Sequence, residues 1–152
     1  MKVLTASLAL VGRLALGFPL LWAGWEKLRA FDWWFEKFGQ MELVPEASAG
    51  VVATAFPGLE LVVGLALVLG FWTRAATWLT FGLYALFAAV IAWLLLSGQA
   101  AACGCFGPDS DLIVDGAALG LRLIAAAAAL ALLGLPNSRF SIDALLRVIV
   151  PR

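Results

Sequence analysis

The most pointed chemistry in this chain rests on Cys103 and Cys105, its only two cysteines, separated by Gly104. Thiol–disulfide exchange needs an attacking thiolate, a second sulfur to resolve the mixed disulfide, and access. A Cys-Gly-Cys segment in an exposed loop supplies all three. A disulfide within Cys-x-Cys closes a very small ring. Its geometry is expected to be strained, and glycine relaxes the backbone best. Strained, exposed disulfides are the easily reduced ones. Two alternatives stay open. The cysteines could be buried and inert, or a static staple, although a staple between residues two apart constrains almost nothing. They could also hold a soft metal such as Cu(I). Without histidine, and with only Met1 and Met41 as thioethers, further soft ligands are few, so no metal site is expected.

A second group of reactive types lies inside apolar runs: Arg13, Glu60 and Arg122, with Tyr84 at a similar depth. At about 1.5 Å per residue, each charge sits roughly 15 Å from its helix end. A charge at that depth is costly, so these groups should face inward and pair. Glu60 with Arg13 or Arg122 is the expected pair. Two readings compete: a polar pocket for a quinone head group or an anionic intermediate, and an ion-pair cluster that fixes helix packing. Pro57, one turn from Glu60, should loosen its helix under either reading. Glu26 and Lys27, at the end of the first run, are expected near the headgroups.

The elements that must position these residues follow from composition. Of 152 residues, 64% are hydrophobic and 13% charged, and the mean hydropathy is +1.01. A soluble domain is about half apolar and a quarter charged, so this chain belongs in a bilayer. Ten basic and ten acidic residues cancel, which leaves no polybasic surface for nucleic acid. The absence of histidine excludes imidazole metal sites and histidine-based general base catalysis.

Four continuous apolar runs, at 3–25, 50–72, 75–96 and 112–135, are each long enough to span as a helix. They lack the alternation of barrel strands. The first is read as a span and not a signal peptide, because Arg13 interrupts it and it is too long for an h-region. The expected fold is all-α: one integral membrane four-helix bundle over residues 1–152. Short interfacial helices are expected in the aromatic, charged first loop and at the C-terminus. The fourth helix should start near Asp109-Ser110-Asp111, where its dipole would favour a thiolate at Cys105. Gly116-x3-Gly120 and the alanine run at 125–129 should give it a smooth packing face.

Four spans put both termini on one side. Lys2, Arg74, Arg139, Arg147 and Arg152 lie there, against Lys27, Arg29 and Lys37 on the other. Five against three favours cytoplasmic termini. The cysteine loop then faces the periplasm, where disulfides form and persist.

These pieces together resemble the MauE/DoxX family of redox-associated membrane proteins, and its MauE branch in particular. The matching residues run along the chain: Arg13-x3-Gly17-Phe18, Ala23-Gly24-x2-Lys27-Leu28, Pro57-x-Leu59-Glu60-x3-Gly64, Gly70, Cys103-Gly-Cys105-Phe106-Gly107 and Arg122. The Cys-x-Cys-Phe-Gly segment between two spans is the specific element. The resemblance implies a bacterial inner-membrane bundle that helps form or reshuffle disulfides in exported proteins, beside a periplasmic thioredoxin-like partner. The leading expectation is therefore a membrane thiol–disulfide oxidoreductase component. Cys103 and Cys105 would exchange with that partner, and a quinone near Arg13, Glu60, Tyr84 and Arg122 would take the electrons. The rival is a non-enzymatic scaffold that recruits a thioredoxin-like protein through the aromatic loop at 31–38, so that Trp33 and Trp34 would matter and the cysteines would not. A transporter ranks below both, since no symmetric pair of broken helices is visible.

Overall fold

The computed structural model describes residues 2–40, 45–98, 115–135 and 142. Among these, five helices follow one another: α1 (Lys2–Arg29), α2 (Phe31–Gln40), α3 (Glu46–Leu69), α4 (Thr73–Leu96) and α5 (Gly116–Leu133). All but α2 are long and apolar enough to cross a membrane. The all-helical, four-span expectation is met. The short helix expected in the first loop is α2; the one expected at the C-terminus lies outside the described residues.

The helix limits differ from the sequence reading for local reasons. α1 continues four residues past 25, because no breaker stands there and Lys27 and Arg29 suit the negative end of its dipole. α3 begins after Pro45, whose φ of −55° proline adopts without strain, and ends at Gly70. Gly70 takes φ 71°, a left-handed cap that suits glycine. The cap of α5 is Asp115, whose carboxylate accepts from the Ala118 N–H at 2.7 Å. The start expected near Asp109 is therefore corrected to Gly116.

α1 packs mainly on α3 and α4 mainly on α5, and lighter α3–α4 and α1–α5 contacts join the two pairs. The α1–α3 seam is a close backbone approach. A Cβ on Gly17 would stand 3.1 Å from the Gly64 carbonyl oxygen, and one on Gly64 would stand 3.0 Å from that of Gly17. One on Gly24 would stand 2.8 Å from the Pro57 oxygen. Gly17 facing Gly64, and Gly24 facing Pro57, make the two helices antiparallel. The central core collects Leu16, Leu20, Val63, Leu67, Leu83, Tyr84, Ala126 and Ala129. Of the alanine run, Ala125, Ala126 and Ala129 pack inward, while Ala127 and Ala128 are exposed. Gly116 and Gly120 do not pack inward: a Cβ on either meets nothing within 4 Å among the described residues. Among the described residues, nothing packs on the smooth face expected from that pair.

α2 is amphipathic. Trp34 and Phe38 are buried on Ala53 of α3, while Asp32 and Glu36 are exposed. The antiparallel order puts α2, the end of α1, and residues 96 and 116 at one end of the bundle.

Candidate functional site

Glu60 is fully buried on α3, and its ion-pair partner is Lys27. The Lys27 ammonium donates to Oε1 at 2.5 Å, with Lys27 1% exposed. This corrects the pairing expected with Arg13 or Arg122, and it moves Lys27 from the headgroups into the bundle. The geometry follows from helix direction: side chains lean toward the N-terminus of their own helix. A lysine near the end of α1 therefore reaches back toward the middle of the antiparallel α3. Glu26 is also buried, and Arg29 meets it at 3.2 Å.

Three aromatic rings surround the ammonium. The ring centroids of Trp34, Phe87 and Phe56 lie 4.9, 5.3 and 5.5 Å from Lys27 Nζ. These are cation–π distances, and they matter more in a desolvated site. Phe87 has the Arg122 guanidinium 5.9 Å from its centroid as well. Arg122, buried on α5, interacts electrostatically with both Glu60 and Tyr84. The Tyr84 hydroxyl donates to the Leu16 carbonyl at 2.8 Å, tying α4 to α1. Glu60, Tyr84 and Arg122 are thus brought together, and Lys27 joins them.

Arg13 stands elsewhere. It donates to the carbonyls of Leu67 at 2.8 Å and Val68 at 3.1 Å, in the last turn of α3. Leu67 is seven residues, about 10 Å of rise, from Glu60. Arg13 therefore serves the negative end of the α3 dipole.

Two buried side-chain oxygens in this region, Glu60 Oε2 and Thr80 Oγ1, have no hydrogen-bond partner among the described residues. A fully buried carboxylate oxygen without a donor is costly.

Pro57 leaves its own mark. Lacking an N–H, it cannot bond the Ala53 carbonyl four residues back. The Trp34 indole N–H supplies that bond at 2.8 Å. The proline break and the α2 docking are one feature, and Trp34 faces inward. Beside it, α3 carries an open groove of about 480 Å³ lined by Val51, Val52, Ala55, Phe56, Gly58, Leu59 and Val62. Cys103 and Cys105 lie outside the described residues, as do Asp109 to Asp111.

Four membrane-length helices around a buried, aromatic-caged ion pair define a helical multi-pass membrane protein. Residues 5–136 match the family described as methylamine utilisation protein MauE, and the chain belongs to that family. No curated protein and no solved structure matches it.

Proposed function

We propose that this chain is a membrane component of thiol–disulfide exchange, in which Cys103 and Cys105 react with a periplasmic thioredoxin-like partner and so support disulfide formation in exported proteins. The observation that carries this reading is the Cys-Gly-Cys segment, the chain's only cysteines, between α4 and α5 of a member of this family. The family description gives methylamine utilisation as the context. The charge count supports the inner membrane with cytoplasmic termini. With Lys27 inside the bundle, five basic residues on the terminal side face only Arg29 and Lys37 on the other. That orientation sends the segment between α4 and α5 outward.

The chemistry balances as an exchange. A partner dithiol attacks the Cys103–Cys105 disulfide, the partner leaves as a disulfide, and Cys103 and Cys105 become thiols. Resetting the pair removes two electrons and two protons, and the chain holds no second cysteine pair to receive them. A bound quinone supplies that capacity. The residues fit such a group at two points: Lys27 offers a donor, and Glu60 Oε2 is an acceptor without a partner among the described residues. Tyr84 and Arg122 border them, while Arg13 is engaged at the end of α3.

The test is trapping. Cys103→Ser and Cys105→Ser chains are expressed in cells and analysed on non-reducing gels. One of the two is expected to accumulate a reducible adduct with a thioredoxin-fold protein. Absence of an adduct from both, with function retained in the double variant, overturns the exchange reading in favour of the scaffold.

A further inference from the structure

We infer that the turn between α3 and α4, with the exposed ridge that leads away from it along α4, binds an anionic phospholipid, its phosphate on Arg74 and its acyl chain along Trp78, Gly82 and Leu86. The site rests on the four-span membrane fold. Only the name of the leaflet, the cytoplasmic one, rests on the orientation proposed above.

The depth of the turn comes first. Trp72 precedes α4 and is 71% exposed, and Trp93, near the other end of that helix, is 42% exposed. Trp93 lies 21 residues beyond Trp72, about 31 Å of rise, which matches the hydrocarbon core of a bilayer. Tryptophan concentrates at both membrane–water interfaces. Trp22 and Trp25, exposed near the end of α1, stand at the Trp93 end, and the exposed Phe71 stands beside Trp72. The α3–α4 turn therefore lies at headgroup level.

The turn holds its tryptophan in a costly backbone shape. Trp72 has φ 46° and is the one non-glycine residue with a positive φ among the described residues. Bulky side chains rarely adopt that region, and such outliers persist where the surroundings fix them and a function uses them. Here the buried Thr73 hydroxyl donates to the Gly70 carbonyl at 3.1 Å. The Trp72 ring stacks on Phe71 at 5.5 Å and 9°. Glycine would take the same φ without strain. What tryptophan adds is an indole exposed at headgroup level.

Charge and shape select the occupant. Arg74 is exposed, and no acidic residue stands at this end of the bundle among the described residues. The other basic residues described there are Lys2 and Arg13, and Arg13 is held by the Leu67 and Val68 carbonyls. Asp32, Glu36 and Asp115 are exposed at the opposite end. A phosphate is attracted to the Arg74 end and meets a planar guanidinium that matches its oxygens. From Arg74, Trp78, Gly82 and Leu86 follow at four-residue spacing along one ridge, all exposed. A Cβ on Gly82 meets nothing within 4 Å among the described residues, so the ridge is notched between Trp78 and Leu86. The notch suits an acyl chain, and a free phosphate makes no use of it.

The experiment titrates the delipidated full chain in detergent with phosphatidylglycerol or phosphatidylcholine and counts retained lipids by native mass spectrometry. Phosphatidylglycerol should bind about fivefold more tightly, the worth of one arginine at a membrane surface. Arg74→Gln should abolish that preference, while Lys37→Gln, at the opposite end, should leave it intact. Trp72→Gly, which keeps the left-handed backbone, should weaken retention of both lipids. Equal retention of the two lipids, an unchanged preference in Arg74→Gln, an equal loss in Lys37→Gln, unchanged retention in Trp72→Gly, or displacement by an equal concentration of glycerol phosphate overturns the site. The Cys103→Ser/Cys105→Ser chain should bind phosphatidylglycerol normally. Arg74-dependent binding in a chain whose cysteine segment proves cytoplasmic overturns the orientation alone.

Discussion

The bond between Trp34 and Ala53 gives a double-mutant cycle with a worked sign. Trp34→Phe keeps an aromatic ring on Phe56 and Phe38 but removes the donor that reaches the Ala53 carbonyl at 2.8 Å. Ala53 is 1% exposed, so water does not replace it. A buried carbonyl left without a donor costs about 1–3 kcal/mol, to which the smaller ring adds a packing loss. Pro57→Ala restores an N–H four residues on, aimed at the same carbonyl by helix geometry. In the wild-type background that N–H is a second donor to an oxygen already served, so its effect is small. In the Trp34→Phe background it replaces the missing bond. The double variant should therefore be more stable than the two single changes predict together, by about 1–2 kcal/mol. Reversible unfolding in bicelles or mixed micelles, read by steric trapping or far-UV circular dichroism, measures all four corners. Additivity within about 0.5 kcal/mol contradicts the claim that Trp34 completes the helix at Pro57.

Four further outcomes follow. Lys27→Met strands the buried Glu60 carboxylate and should cost about 3–5 kcal/mol, while Lys27→Met/Glu60→Met together should recover most of it; thermal midpoints in detergent compare the three chains. Arg13→Leu removes two charged hydrogen bonds from the last turn of α3, each worth about 1.5–3 kcal/mol, and amide exchange should report faster opening there. Gly17→Ala forces a Cβ to within 2.7 Å of a Val68 methyl and should cost about 1–3 kcal/mol. Gly120→Ala, with nothing in reach among the described residues, should be neutral or stabilise by up to about 1 kcal/mol; parallel melting curves decide.

The spans were legible because continuous apolar runs can satisfy their backbone in lipid only as helices or closed barrels. Their ends were less so, since Pro45, Gly70 and Asp115 act over one or two residues, while hydropathy averages over many. The membrane charges were legible as inward-facing, but their partners were not. Lys27 was read by its distance from the end of a run, which ignores a long side chain leaning back along its own helix. A signal was present nevertheless. Ala6, Ala9, Arg13, Leu16, Leu20, Ala23 and Lys27 recur at helical spacing and are all buried, so the stripe holding Arg13 also holds Lys27. Gly24, three residues before Lys27, meets α3. Gly116-x3-Gly120 misled because small residues permit close packing without requiring it. The bond between Trp34 and the Ala53 carbonyl freed by Pro57 joins residues 19 apart in sequence, and no periodicity encodes it.

The central claim is that Cys103 and Cys105 form an exchange-active disulfide on the outer face of the membrane. Thiol trapping in intact cells, with a membrane-impermeant alkylating reagent applied before and after mild reduction, tests it most directly. Labelling that appears only after reduction is the predicted result. Cysteines that stay unlabelled under both conditions are buried or cytoplasmic, and that result contradicts the account.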